Sequence, residues 1–206
     1  MKAPQSLYLA SGNLHKVREL QELADQAGLP VTFYSAKGVG GMPEVVEDTG
    51  TFEGNSRKKA RALLPLVPAG AWVMADDSGI CVDALDGGPG VESAYFAGPE
   101  NDDKANLTKL IEVMRPVPTV RRGAHYICVL HLIAGELGEQ VFEGKCHGRL
   151  AVEPAGQGGF GYDPLFVPEG YSDTFGILSD ATKQDLSHRG AAWHSLAQWI
   201  RRREVD

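Results

Sequence analysis

Short apolar runs and longer stretches of helical spacing alternate along this chain. Leu7-Tyr8-Leu9-Ala10 reads as a strand. After Ser11-Gly12-Asn13, apolar residues recur at three- and four-residue steps through Leu14, Val17, Leu20, Leu23, Ala24 and Ala27 up to Gly28, which predicts a helix with one core-facing stripe. Val31 to Tyr34 predicts the next strand. Thr49-Gly50-Thr51 then opens a second helix, with Phe52, Ser56, Lys59, Ala60, Leu63 and Leu64 on its inner face and a stop near Pro65. Asn55 and Lys59 stand one turn apart on it. An apolar run ends at Ala75, Ile80 to Val82 continues it briefly, and Asp86-Gly87-Gly88-Pro89-Gly90 is turn chemistry.

Asn101 to Met114 predicts a helix facing inward through Leu107, Leu110, Ile111 and Met114 and ended before Pro116. His125 to Ile133 and Gln140 to Leu150, joined by Ala134 to Gly138, have the spacing of an antiparallel hairpin, so the sheet is expected to be mixed. A last helix carries Ala192, Leu196, Trp199 and Ile200 inward, with Ser187 as its N-cap. The alternation of strands and helices predicts an α/β protein, and we expect a single domain over residues 1–206.

Composition narrows the function classes. Hydrophobic residues make up 43% of the chain and charged residues 23%, the balance of an ordinary globular protein. A net charge of -7 argues against a nucleic-acid binder that works by neutralising many phosphates, while a few local cations still allow a small anionic ligand. Met1 to Ser6 is short and polar and the run after it too brief for a signal peptide, and no stretch approaches a membrane span. Cys81, Cys128 and Cys146 are odd in number and set among apolar neighbours, so reduced thiols in a cytoplasmic protein are expected. His125, His131 and His147 lack metal-site spacing and read as structural.

Candidate chemistry centres on Asp76-Asp77-Ser78-Gly79. Neighbouring strand residues face opposite ways, so both aspartates cannot point into the core; the stretch is either a polar strand end or half of a site. Lys16, in the first turn after the Asn13 cap, opposes the helix dipole unless an anion pairs with it; the alternative is a solvated lysine. Glu47 and Asp48 are either dipole partners of the helix they precede or oxygen ligands to a hard cation. Gly156 to Gly161 satisfies G-x-G-x-x-G but runs into Tyr162-Asp163-Pro164 and an extended segment rather than a helix, which excludes a dinucleotide fingerprint. What remains is a loop presenting Phe160, Tyr162 and Asp163, either as a turn with buried aromatics or as a group that stacks on a nucleobase and accepts from its edge. His188 and Arg189 sit at the positive end of the last helix, while Arg201 to Arg203 suit its negative end as solvated charges.

SGNLHK, ADDSGICVDALDGGPGVESA, GGFGYDPLF and KQDLSHRGAA, in this order between Leu7 and about Ala192, resemble the inosine/xanthosine triphosphate pyrophosphatase family. The resemblance implies an elongated three-layer α/β fold with a central mixed sheet and two lobes flanking an active-site cleft. It also implies a homodimer, and Mg²⁺-dependent hydrolysis of ITP, dITP or XTP to monophosphate and pyrophosphate. By the same matching, Asp77 is the general base and a metal-associated carboxylate, with Asp48 the second metal residue and Glu47 and Asp76 left open. Ser11, Gly12, Asn13, Leu14, His15 and Lys16 are expected to cradle the phosphates with help from Ser78. The resemblance also implies that Phe160, Gly161, Tyr162 and Asp163 form the base pocket, closed by Lys183, His188 and Arg189. Donors such as His188 or Arg189 favour the 6-oxo group of hypoxanthine and xanthine over adenine's amino group. The chain departs from the family pattern at Gly54, where F-x-E-N-A has its glutamate, and at Tyr95, where S-A-R-Y has its arginine. A nucleotide-binding regulatory module and a phosphatase acting on monophosphates are the rival classes; the first could dispense with Asp77, and the second would release orthophosphate.

Overall fold

The computed structural model describes residues 4–203, with the side chain of His15 outside that description. Six strands, β1 (Gln5–Leu9), β2 (Val31–Ser35), β3 (Trp72–Val82), β4 (Gly123–Ile133), β5 (Glu139–Leu150) and β6 (Phe166–Pro168), form one sheet in the order β2-β1-β3-β4-β5-β6. β1 runs parallel to β2 and to β3, with Leu7 opposite Phe33 and Trp72, while β5 and β6 are antiparallel, with Leu150 opposite Phe166. The sheet is therefore mixed, as the strand spacing predicts. Among the described residues five α-helices accompany it: α1 (Leu14–Gln26), α2 (Phe52–Leu63), α3 (Asp103–Met114), α4 (Asp180–Leu186) and α5 (His188–Arg202).

The chain divides into two compact units, Met1–Asp77 with Val129–Glu143 and Ala192–Asp206, and Ser78–Cys128 with Gly144–Ala191; three of the divisions fall inside β3, β4 and β5. In the first unit, α1 buries Leu20 and Ala24 as its stripe predicts, while Leu14, expected on that stripe, is 51% exposed beside the Ser11–Asn13 loop. Ala60 and Leu63 of α2 pack with Val73 and Ala75 of β3 and Ile133 of β4. Trp199 of α5 meets Trp72 and Phe142 edge-on, with ring centroids 5.7 and 6.0 Å apart. Arg201, expected to be solvated, donates to the Ala27 carbonyl at 2.8 Å just past the end of α1.

In the second unit, Leu110 and Met114 of α3 pack with Ile80, Val82, Leu150, Phe166 and Phe175. Arg122, only 2% exposed, donates to the carbonyls of Met114, Val117 and Ala151 and so satisfies backbone acceptors left over where α3 ends.

Two elements differ from expectation. Asp76-Asp77-Ser78-Gly79 is not a strand end: β3 runs unbroken through it. A strand interior tolerates two adjacent carboxylates here because each is ion-paired, Asp76 to Lys16 of α1 and Asp77 to Lys59 of α2. The short α4 was not anticipated, since its seven residues carry no apolar stripe; Ser179 caps it by accepting the Thr182 N–H.

Candidate functional site

The acidic group of the first unit is assembled from three elements. Asn13 caps α1, its Oδ1 accepting the Lys16 N–H at 3.4 Å, while the Asn13 N–H donates to Ser11 Oγ at 3.1 Å. Ser35, at the end of β2, holds this loop by donating to the Ser11 carbonyl at 3.3 Å. Ser11 is half-buried, and Gly12, Asn13 and Leu14 are exposed around the α1 N-terminus, where backbone N–H groups are available to an anion. His15 lies in α1, its side chain outside the described ones. The anion that offsets Lys16 in the first turn comes from the chain itself, with Lys16 Nζ 2.7 Å from Asp76 Oδ2.

Lys59 bridges Asp77 Oδ1 at 2.8 Å and Glu47 Oε2 at 3.0 Å. The other Asp77 oxygen, Oδ2, is buried and accepts no hydrogen bond. Burial pushes the Asp77 carboxyl up to about 6, against the pull of Lys59; Glu47 adds to the rise and Asn55 opposes it. Burial would lower the Lys59 ammonium, but Asp77 and Glu47 outweigh it and the net shift is upward. A carboxyl poised near neutrality with a free buried oxygen is suited to take a proton from water or to meet a hard cation.

Asp48, predicted beside the metal, instead pairs with Lys58, its side chain 62% exposed; Glu47 is the carboxylate that shares a cation with Asp77. Among the described residues no three His, Cys, Asp or Glu side chains are grouped to hold a metal. Mg²⁺, however, commonly takes one or two protein carboxylates and completes its shell with water and substrate phosphates. Asp77 Oδ2 with Glu47 fits that pattern.

The missing glutamate at position 54 has a local explanation. Thr51 caps α2 through the Gly54 N–H at 3.0 Å, and Thr49 Oγ1 accepts the Thr51 N–H at 3.4 Å and reaches Asn55 Oδ1 at 2.8 Å. In a capping box a glutamate at this helical position reaches back to the N-cap N–H. Here Thr49 takes that N–H, and any Cβ at residue 54 would overlap its side chain.

The second unit holds a cavity of about 150 Å³ lined by the loop Phe160-Gly161-Tyr162-Asp163, by Tyr126 and Phe175, by Lys183, Ser187 and His188, and by Ser78 to Ile80. Asp163 is 2% exposed and its acceptors are taken: Oδ1 by the Tyr126 hydroxyl at 3.2 Å, Oδ2 by the Phe160 N–H at 2.8 Å and by Lys183 Nζ. It therefore shapes the loop and holds the lysine, with Oδ1 accepting from Tyr126. Gly159, at φ +75°, is required beside it, because a Cβ there would overlap the Asp163 carboxylate. Tyr162 donates to the Ser93 carbonyl at 2.7 Å, and Phe160 is 61% exposed with Lys183 Nζ 4.5 Å from its ring centroid. Ser187 caps α5 by accepting the Gly190 N–H at 2.9 Å, which sets His188 in the first turn. Arg189 follows, half-buried and outside the cavity lining; Ser78, expected at the phosphates, is in that lining.

Sequence reasoning left two contributors unassigned. Lys59 carried a signal in its place on the apolar face of α2, where a lysine needs a buried partner. Tyr126 carried none, being one aromatic among the core residues of β4.

The first unit thus carries a lysine-held acidic group and the second an aromatic cavity with a lysine in its lining. The Ham1 family pattern matches residues 7–199, and the chain belongs to that family. It is 56% identical over 200 residues to the dITP/XTP pyrophosphatase of Opitutus terrae, covering 95% of this chain and 98% of that protein. The dITP/XTP pyrophosphatase of Streptomyces coelicolor is 41% identical over 95% of this chain and 96% of its own. Among solved structures, a HAM1 protein from Coxiella burnetii superposes with a TM-score of 0.87 at 32% identity, covering 96% of this chain and 99% of that one. The nucleoside-triphosphatase / dITP/XTP pyrophosphatase of Mycobacterium abscessus gives 0.80 at 39% identity over 93% and 97%.

Proposed function

We propose that this protein hydrolyses nucleoside triphosphates bearing deaminated purines, ITP, dITP and XTP, to the monophosphate and pyrophosphate, and so clears them from the nucleotide pool. The observation that carries the reading is Asp77: a buried carboxyl held through one oxygen by Lys59, raised to about 6, with its other oxygen accepting nothing. Deprotonated Asp77 takes a proton from a water as the water oxygen bonds to the α-phosphorus. The bond from that phosphorus to the bridging oxygen breaks and its electron pair leaves with pyrophosphate. Lys59 keeps the carboxylate oriented and charged, and the α1 N-terminus with Ser11 to Lys16 receives the phosphate oxygens. Mg²⁺, held by Asp77 and Glu47, would neutralise phosphate charge when bound. Phe160 stacks on the base, and Lys183 and His188 of the cavity lining supply donors to its 6-oxo group, with Arg189 next to them on α5.

We also infer a homodimer working in the cytoplasm on a small-molecule substrate, without nucleic acid or membrane. No described helix is long and apolar enough to cross a membrane. The test is product identification: with Mg²⁺ and each of ITP, XTP, dITP, ATP and GTP, pyrophosphate and monophosphate should appear from the first three far faster than from ATP or GTP. Orthophosphate alone, or no turnover, sinks the proposal.

A further inference from the structure

The cavity in the second unit contains a residue that no motif singles out and that touches both halves of its recognition surface. Tyr126 rises from β4, 8% exposed. Its ring lies flat on the imidazole of His188, with centroids 5.0 Å apart and planes 12° from parallel. The far surroundings are aromatic too: Phe166 meets Tyr126 edge-on at 4.8 Å and Phe175 lies parallel at 6.3 Å. This packing leaves the tyrosine ring little freedom, so the imidazole stacked on it inherits a defined plane. The Tyr126 hydroxyl meanwhile donates to Asp163, the carboxylate that takes Lys183 and the Phe160 N–H.

We infer that Tyr126 is a positioning residue for purine selection: its ring fixes the plane in which His188 presents its N–H to the 6-oxo group, and its hydroxyl steadies the Asp163–Lys183 pair. A donor held in one orientation rewards an acceptor at position 6 and penalises an amino group, whereas a donor free to turn away does neither as strongly. The inference rests on the reading of this cavity as the base pocket.

Three variants separate the two. Lys183→Met tests the pocket reading alone; Tyr126→Met removes ring and hydroxyl while keeping an adaptable apolar filler; Tyr126→Phe restores the ring. Steady-state pyrophosphate release is measured with ITP and ATP. For folded Tyr126→Met we expect KM for ITP to rise about tenfold with kcat within about threefold, and the ITP-to-ATP ratio of kcat/KM to fall about tenfold. Tyr126→Phe should keep that ratio within about threefold of the parent. A merely structural tyrosine would lower thermal stability and leave the ratio unchanged. If Lys183→Met lowers the ratio and folded Tyr126→Met does not, the inference falls and the pocket reading stands. If Lys183→Met leaves the ratio untouched, the pocket reading falls and takes the inference with it. Should Tyr126→Met fail to fold, the imidazole NMR signals of the parent protein are followed on addition of IMP: His188 should shift, and an unresponsive His188 overturns the inference.

Discussion

Asp77 carries two constraints that pull in opposite directions. Burial favours its neutral form while Lys59, 2.8 Å away, favours the charged one, and the balance leaves it near 6. A general base must be deprotonated, so kcat/KM for ITP should fall as pH drops through the Asp77 pKa, about 6 without Mg²⁺ and lower with the cation beside it, and level off above it. Removing Lys59 as Lys59→Met takes away the group that lowers the Asp77 pKa, and the acid limb should move to higher pH. An acid limb unmoved in that variant would exclude Lys59 from the role. Asp77→Asn should fold and still bind nucleotide while losing roughly 10²–10⁴ in kcat, the usual worth of a positioned base. Near-parental turnover would remove Asp77 from the chemistry.

The helices bring these side chains to the sheet, and polar side chains set where the helices begin and what they grip. Thr49 and Thr51 together do for α2 what a cap and a glutamate do in a capping box, so Thr49→Val should cost about 1 kcal/mol in denaturant unfolding. Arg122 satisfies three carbonyls from a buried position. Arg122→Met removes its bonds to the Val117 and Ala151 carbonyls, while the Met114 carbonyl keeps the Val117 N–H, and should cost about 2–4 kcal/mol with Asp77 and Lys59 untouched.

Glu139 ties β5 to α2 through Arg57 at 2.7 Å and Arg61 at 2.7 Å, with His131 Nε2 at 3.0 Å. Burial opposes ionisation, yet the hydrogen bonds from Arg61, Arg57 and His131 win and hold the carboxyl at about 2. Burial lowers His131 itself, so the neutral ring donates to Glu139 through Nε2. A depressed carboxylate pKa stabilises the fold above its unfolded value near 4.5 and loses that contribution as pH falls towards 2. With partial solvent screening the contribution is of order 1 kcal/mol, and Glu139→Gln should flatten the fall in stability over that window.

For the chain as a whole, strands, helices and turns were legible because hydrophobic period and punctuation are local properties. The β1, α1, β2 and β4–β5 segments fall within a few residues of expectation. The alternation of element types led to an α/β fold with a mixed sheet, and four motifs in order led to a resemblance to the inosine/xanthosine triphosphate pyrophosphatases, which the match to the Ham1 family bears out. Sedimentation should show twice the mass of one chain; a monomer at micromolar concentration would remove the homodimer from the proposal.

Asp76-Asp77-Ser78-Gly79 marks where local reading stops. Its composition suits a turn, and only the arrival of Lys16 and Lys59 from two helices distant in sequence lets the strand continue through it. Asp48 and Glu47 are equivalent acids on paper, and it is the path of the backbone before α2 that sends one to Lys58 and the other to the lysine shared with Asp77. Asp163 meets the tyrosine of a separate strand and the lysine of an unanticipated helix, partners that its own loop does not announce. Residue types and their order thus specify which chemistry is present. Charge pairing and burial between segments far apart in sequence decide which carboxylate is held by which lysine, because those interactions exist only once the chain has folded.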